Sequence, residues 1–211
     1  MNAHTLRQTI AGPAGAIECA IDNPSVAPVG IAVVCHPHPQ GGGTLDNKVA
    51  QTLARAFVQL GMRCVRFNFR GVGASEGVWD DGRGEVDDAL AVIQAFRSAA
   101  DVAALPFMLA GFSFGGFVAA EAATRLTDEM KPQRLVLVGP STQKQQVPLV
   151  PADTVVIHGE VDDVVPLSAT LDWARPQALP VIVIPGVGHF FHGQLALLRQ
   201  LVVQQLQRPR G

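Results

Sequence analysis

A serine stands between two glycines in Gly111-Phe112-Ser113-Phe114-Gly115, with a strand-like run, Pro106 to Ala110, before it and a helix-period stretch, Phe117 to Leu126, after it. A strand-to-helix turn of this kind is tight and lifts the Ser113 hydroxyl above the sheet edge. The glycines two positions to either side remove the Cβ atoms that would hold strand and helix apart. The helix behind the serine aims the Phe114 amide at any oxyanion that develops there. The plainer alternative is a glycine-rich turn whose serine caps a helix.

A serine hydroxyl is a poor nucleophile until a histidine takes its proton and a carboxylate orients that histidine. Both residue types follow downstream. The run TVVIH leads into Gly159-Glu160-Val161-Asp162-Asp163-Val164-Val165-Pro166, and PVIVIPG leads into Val187-Gly188-His189-Phe190-Phe191-His192-Gly193. Acid and base each follow a strand, in the order Ser, Asp, His, at separations of 49 residues (162 − 113) and 27 residues (189 − 162). His189 is the expected base because it directly follows the loop glycines. His192 comes three residues later, where it starts the last helix or lines the site. Asp162 and Asp163 both fit the acid at this point. Phe112 and Phe190 flank nucleophile and base, and Trp79 sits in a polar glycine-rich loop, so these three are the expected substrate-binding residues. Packing of such aromatics onto the sheet is the competing expectation.

These residues need a scaffold, and the rest of the chain supplies short apolar runs alternating with helix-period segments. Strands are expected near His4 to Ile10, Ala16 to Ile21, Gly30 to Cys35, Arg63 to Phe69, Pro106 to Ala110, Leu135 to Val138, Thr154 to His158 and Pro180 to Ile184. Leu45, Val49, Leu53, Phe57 and Leu60 form one helical stripe ended by Gly61. Val86, Leu90, Ile93 and Phe96 form another, and Leu195, Leu198, Val202 and Leu206 a third. Strand–helix alternation predicts an α/β fold with a mostly parallel sheet of about eight strands and helices on both faces. Residues 1–211 are expected to form a single domain, with chemistry on the loops at the carboxyl ends of the strands.

Composition removes several function classes. Hydrophobic residues are 48% and charged residues 16%, which excludes disorder. A net charge of −2 leaves no basic footprint, so no nucleic-acid partner is expected. No apolar run approaches the length of a membrane span, and Met1 to Ile10 carries no signal-like stretch, so no membrane partner and a cytoplasmic location are expected. Cys19, Cys35 and Cys64 each sit in an apolar run and are expected to be buried, reduced thiols. Gly71 to Gly77 follows a strand like a dinucleotide loop, but no helix opens at once, and it reads as a turn. Gly41 to Lys48 lacks the Gly-Lys-Ser/Thr ending of a phosphate loop. A zinc site from His36, His38, His189 and His192 conflicts with the use of His189 as base and is not expected.

The runs HPHPQGGGTLDNK from His36, FNFRGVGASEG from Phe67, GFSFGG from Gly111, HGEVDDVVP from His158 and GVGHFFHG from Gly186 together resemble the α/β-hydrolase superfamily. Within it the chain is similar to small lidless serine hydrolases related to the dienelactone hydrolases. Those enzymes themselves carry a cysteine where this chain has Ser113. The resemblance implies an α/β-hydrolase fold, no cofactor and hydrolysis of carboxylic esters or thioesters of small acyl groups through an acyl-enzyme on Ser113. The superfamily pattern G-x-x-D-x-x-V-P puts the acid at Asp162. Aligning His36-Pro37 with the superfamily's His-Gly pair gives the second oxyanion donor as the His38 amide, Gln40 being the other amide in reach of the prolines. Superfamily lids follow the strand matching Leu135 to Val138, and the 15 residues from 139 to 153 are too few for one. The implied partner is a small-molecule acyl substrate, with the chain a monomer or homodimer. A serine peptidase on short peptides, a cofactor-free perhydrolase and a non-catalytic binding or regulatory module remain the alternatives.

Overall fold

Apolar runs without alternation form strands covered on both faces. The computed structural model describes residues 5–98 and 104–207, so His4, where the first expected strand begins, lies outside the described residues. β1 (Thr5–Gly12) and β2 (Gly15–Asp22) form an antiparallel hairpin. β3 (Gly30–Cys35) is buried along its whole length, and its side chains divide by parity. Ile31, Val33 and Cys35 enter one core, while Ala32 and Val34 enter the other. β4 (Met62–Phe67), β5 (Phe107–Phe112), β6 (Arg134–Val138), β7 (Val155–Gly159) and β8 (Val181–Ile184) complete the sheet. The spatial order is β1-β2-β4-β3-β5-β6-β7-β8, antiparallel between β1, β2 and β4 and parallel from β4 to β8. This is the mostly parallel, eight-stranded α/β sheet expected from the sequence.

α1 (Lys48–Gln59) and α5 (Leu195–Gln207) cover one face, and α2 (Arg83–Arg97) and α3 (Phe114–Arg125) cover the other. The α1 stripe of Val49, Leu53 and Phe57 is fully inside, but Leu45 precedes the helix. The Asn47 side chain accepts from the Val49 and Ala50 amides and so starts α1 at Lys48. α4 (Leu167–Ala174) packs Ala174 against Val156 and Leu179 in a small third cluster.

Several boundaries differ from the sequence reading by a residue or more, and two of them bear on the site. β4 stops at Phe67 rather than Phe69, because the Phe69 amide turns to donate to His36 Nε2 at 3.1 Å. α3 begins at Phe114 rather than Phe117; the Gly115-Gly116 pair hides the start of its period. Residues 139–154, between β6 and β7, contain no helix, so no lid covers the carboxyl edge there. Among the described residues no helix is long and apolar enough to cross a membrane.

Candidate active site

Ser113 occupies the one residue between β5 and α3 and takes φ 57° and ψ −120°. A non-glycine residue held there stores roughly 1–3 kcal/mol of strain, which the surroundings must impose. Its amide donates to the Val138 carbonyl at 2.9 Å, and its carbonyl accepts from Gly116 at 2.9 Å and Ser141 at 3.1 Å. The flanking glycines are sterically required. A Cβ on Gly111 would overlap the Gly115 carbonyl, and one on Gly115 would overlap the carbonyl oxygens of Cys35 and His36.

The loop after β8 brings His189 over the serine, with Nε2 3.0 Å from Ser113 Oγ. The other nitrogen, Nδ1, lies 2.7 Å from Asp162 Oδ2, so the carboxylate fixes the proton on Nδ1 and leaves Nε2 to accept from the hydroxyl. Asp162 comes from the loop after β7, and its Oδ1 accepts from the amides of Val164 at 2.9 Å and Val165 at 2.7 Å. Burial pushes the Asp162 carboxyl upward, but the bonds from His189 and the two amides outweigh it and hold it below the usual range. Asp163 is exposed, and it is Asp162 that meets the histidine. His192 is exposed, its ring 5.8 Å from Phe190 and outside the hydrogen-bonded line.

A cavity of about 350 Å³ opens beside Ser113 Oγ, walled by the loop after β3 on one side and by Val164, Val165 and Phe190 on the other. The Phe114 amide, first in α3, is one of the donors that a helix N-terminus leaves without an intrahelical partner. His38 and Gln40 line the same cavity, and the His38 carbonyl accepts from the amides of Gly41 at 3.1 Å and Gly43 at 3.0 Å, curling the loop into a tight turn.

Of the three aromatic residues expected to touch substrate, only Phe190 is in the cavity wall. Phe112 is fully buried and packs under the His189 ring at 4.8 Å, because its parity in β5 directs it into the core beneath α1 and α5. Trp79 stands behind the wall, with its ring 4.7 Å from His38 and 5.1 Å from Phe114. His36 has both ring nitrogens occupied: Nδ1 donates to the Pro37 carbonyl at 2.6 Å and Nε2 accepts from Phe69.

Three residues around the site went unassigned from sequence. His158, at the end of β7, is fully buried; its Nε2 donates to the Val165 carbonyl at 2.9 Å and lies 3.4 Å from Asp162 Oδ2. Burial pushes its pKa down, so it braces the acid loop as a neutral ring. Ser141 ties the loop after β6 to the Ser113 carbonyl, and Lys144 of the same loop reaches the cavity. The signal for His158 was a histidine ending an apolar strand four residues before the acid. Lys144 gave no signal beyond its charge.

A family model described as serine aminopeptidase, S33 (Hydrolase_4), matches residues 28–166. An α/β serine hydrolase homologue from Coxiella burnetii is 37% identical, with 95% of this chain and 97% of that one covered and a TM-score of 0.87. An α/β serine hydrolase without lid from Xanthomonas campestris is 34% identical over 100% of this chain and 98% of that one, with a TM-score of 0.89. An uncharacterized protein of Rickettsia prowazekii is 39% identical over 114 residues, 54% of this chain; the match spans about half, 48%, of that protein's length.

Proposed function

Because the chain belongs to the Hydrolase_4 family and has the lidless α/β-hydrolase fold of the serine hydrolases, we propose that it cleaves carboxylic esters or thioesters of small acyl groups through an acyl-enzyme on Ser113. The observation that carries this reading is the unbroken line from Ser113 Oγ to His189 Nε2 and from Nδ1 to Asp162 Oδ2, at 3.0 and 2.7 Å. In the first step Oγ bonds to the acyl carbon while its proton passes to His189 Nε2. Charge gathers on the former carbonyl oxygen, toward which the Phe114 and His38 amides are the candidate donors. Asp162 stabilises the imidazolium without taking its proton. The bond to the leaving oxygen or sulfur then breaks, and Nε2 hands that atom its proton. Water repeats the sequence: its proton goes to Nε2, its oxygen to the acyl carbon, and Oγ leaves with the proton returned.

The substrate is a small molecule and the setting cytoplasmic; three buried free thiols suit a reducing compartment. The family description favours one other reading, release of N-terminal residues from peptides. Such a substrate presents an ammonium group, and among the described residues the cavity wall offers Lys144 and no carboxylate to meet it. Ester chemistry is therefore the better supported of the two.

The test is intact-protein mass after treatment with a fluorophosphonate. A single adduct on the wild type and none on Ser113→Ala is the expected result, followed by turnover of a short ester and thioester panel. A folded wild type that takes no adduct overturns the reading.

A further inference from the structure

The cavity beside Ser113 carries one formal charge among its described lining residues, the ammonium of Lys144. The other ionisable side chains of the wall do not balance it. His38 is pushed below its ordinary pKa by burial and by Lys144 itself, so it stays neutral near pH 7. The Asp162 carboxylate is buried, turned into the hydrogen bonds from His189, Val164 and Val165, and lies outside the wall. Asp163 is exposed and also outside it. No carboxylate among the described residues comes within ion-pair distance of Lys144, whereas Lys131, in the connection between α3 and β6, is paired with Asp128 at 2.7 Å.

The backbone that presents Lys144 is fixed to the reaction centre. The Ser141 amide donates to the carbonyl of Ser113 itself at 3.1 Å, and the Gln145 amide donates back to Ser141 at 3.0 Å. Thr142 Oγ1 is 3.0 Å from Thr170 Oγ1 on α4, which pins the other side of the turn. Lys144 thus extends a flexible, strongly hydrated side chain from an anchored backbone. An unpaired cation in the wall of the cavity that holds the nucleophile lowers the free energy of a substrate that brings an anion there.

Resting on the acyl-transfer reading above, we propose that Lys144 makes the cleft selective for esters carrying a carboxylate, which pairs with its ammonium while Ser113 meets the scissile carbonyl. The carboxylate belongs to either the acyl or the alcohol part, and the experiment separates the two.

Two matched pairs are compared by kcat/KM after subtraction of the enzyme-free rate. Mono-4-nitrophenyl adipate against 4-nitrophenyl hexanoate places the charge on the acyl part. 4-Acetoxybenzoate against its methyl ester places it on the leaving group. An exposed charge pair supports a preference of roughly fivefold for the anionic member of at least one pair. Lys144→Met brings that ratio to about one, Lys144→Glu takes it below one, and added salt shrinks it in the wild type. Fluorophosphonate capture at Ser113 reports that each variant still assembles its site. A wild-type ratio of one in both pairs, or a ratio that Lys144→Met leaves unchanged, overturns the proposal while esterase chemistry stands. A wild type that takes no adduct and turns over no ester overturns both.

Discussion

His36 and His189 both end up almost wholly buried, at 0% and 2% exposure, in loops at the carboxyl edge of the same sheet. Their partners differ. His36 has backbone on both nitrogens, the Pro37 carbonyl on Nδ1 and the Phe69 amide on Nε2. Accepting a proton there would mean losing the Phe69 bond at a ring closed off from the surface, and burial pushes its pKa down to about 3. His189 has a carboxylate on one nitrogen and a hydroxyl on the other, so a proton arriving on Nε2 would be offset by the charge of Asp162. Burial by itself does not make a base. The group on the far nitrogen decides whether the ring can change charge.

The largest effects expected break the His189 side. His189→Ala lowers kcat by about 10⁶-fold and Asp162→Asn by about 10⁴-fold, while Asp163→Asn stays within about twofold, all measured by steady-state ester hydrolysis. If Asp163→Asn were the damaging change, the acid would be the wrong one of the pair.

His36→Ala tests the other side. It leaves the Pro37 carbonyl and the Phe69 amide buried without partners and costs about 2–4 kcal/mol, read from the denaturant midpoint. Fluorophosphonate capture at Ser113 persists wherever this variant is folded. Abolished capture in the folded variant would mean that His36 takes part in the chemistry.

The smallest effect sharpens the contrast through pH. An unfolded chain protonates His36 near the ordinary 6.5, the folded chain only near 3. Stability therefore rises with pH across that window, and about 1.4 kcal/mol is lost for each unit of acidification within it. His158, shifted in the same direction, adds to the slope. The gap between wild type and His36→Ala is expected to narrow by about 2 kcal/mol between pH 7 and pH 5, because the variant lacks the His36 contribution. A gap that stays constant would mean His36 is not held neutral.

The inner strands were legible because a strand buried on both faces is mostly apolar, as Gly30–Cys35 is, whereas the largely exposed edge strand β1 showed itself by polar alternation. The elbow was legible because Gly111 and Gly115 answer a clash within a few residues of Ser113. The aromatic wall was not. Phe112 and Phe190 flank the nucleophile and base alike in sequence, yet one lies under the imidazole and the other faces the cavity. Strand parity, set by the sheet, separated them. The place of the Trp79 ring was not legible for a related reason: it reaches His38 across 41 residues (79 − 38), and nothing local to Trp79 fixes that contact.

By itself, then, the sequence determined what short-range sterics and periodicity control: the strand and helix segments, the tight turn at Ser113, and the order of serine, acid and base along the chain. The tertiary structure decided what depends on packing between distant loops. It set Asp162, the residue the superfamily pattern had implied, against His189, put the Phe69 amide on His36 Nε2 and stood Lys144 at the cavity wall. The physical reason is that a side chain's direction in a loop is set by the groups it meets, and here those groups lie 27 to 76 residues away in the hydrogen bonds that join His189 to Asp162 and Ser113.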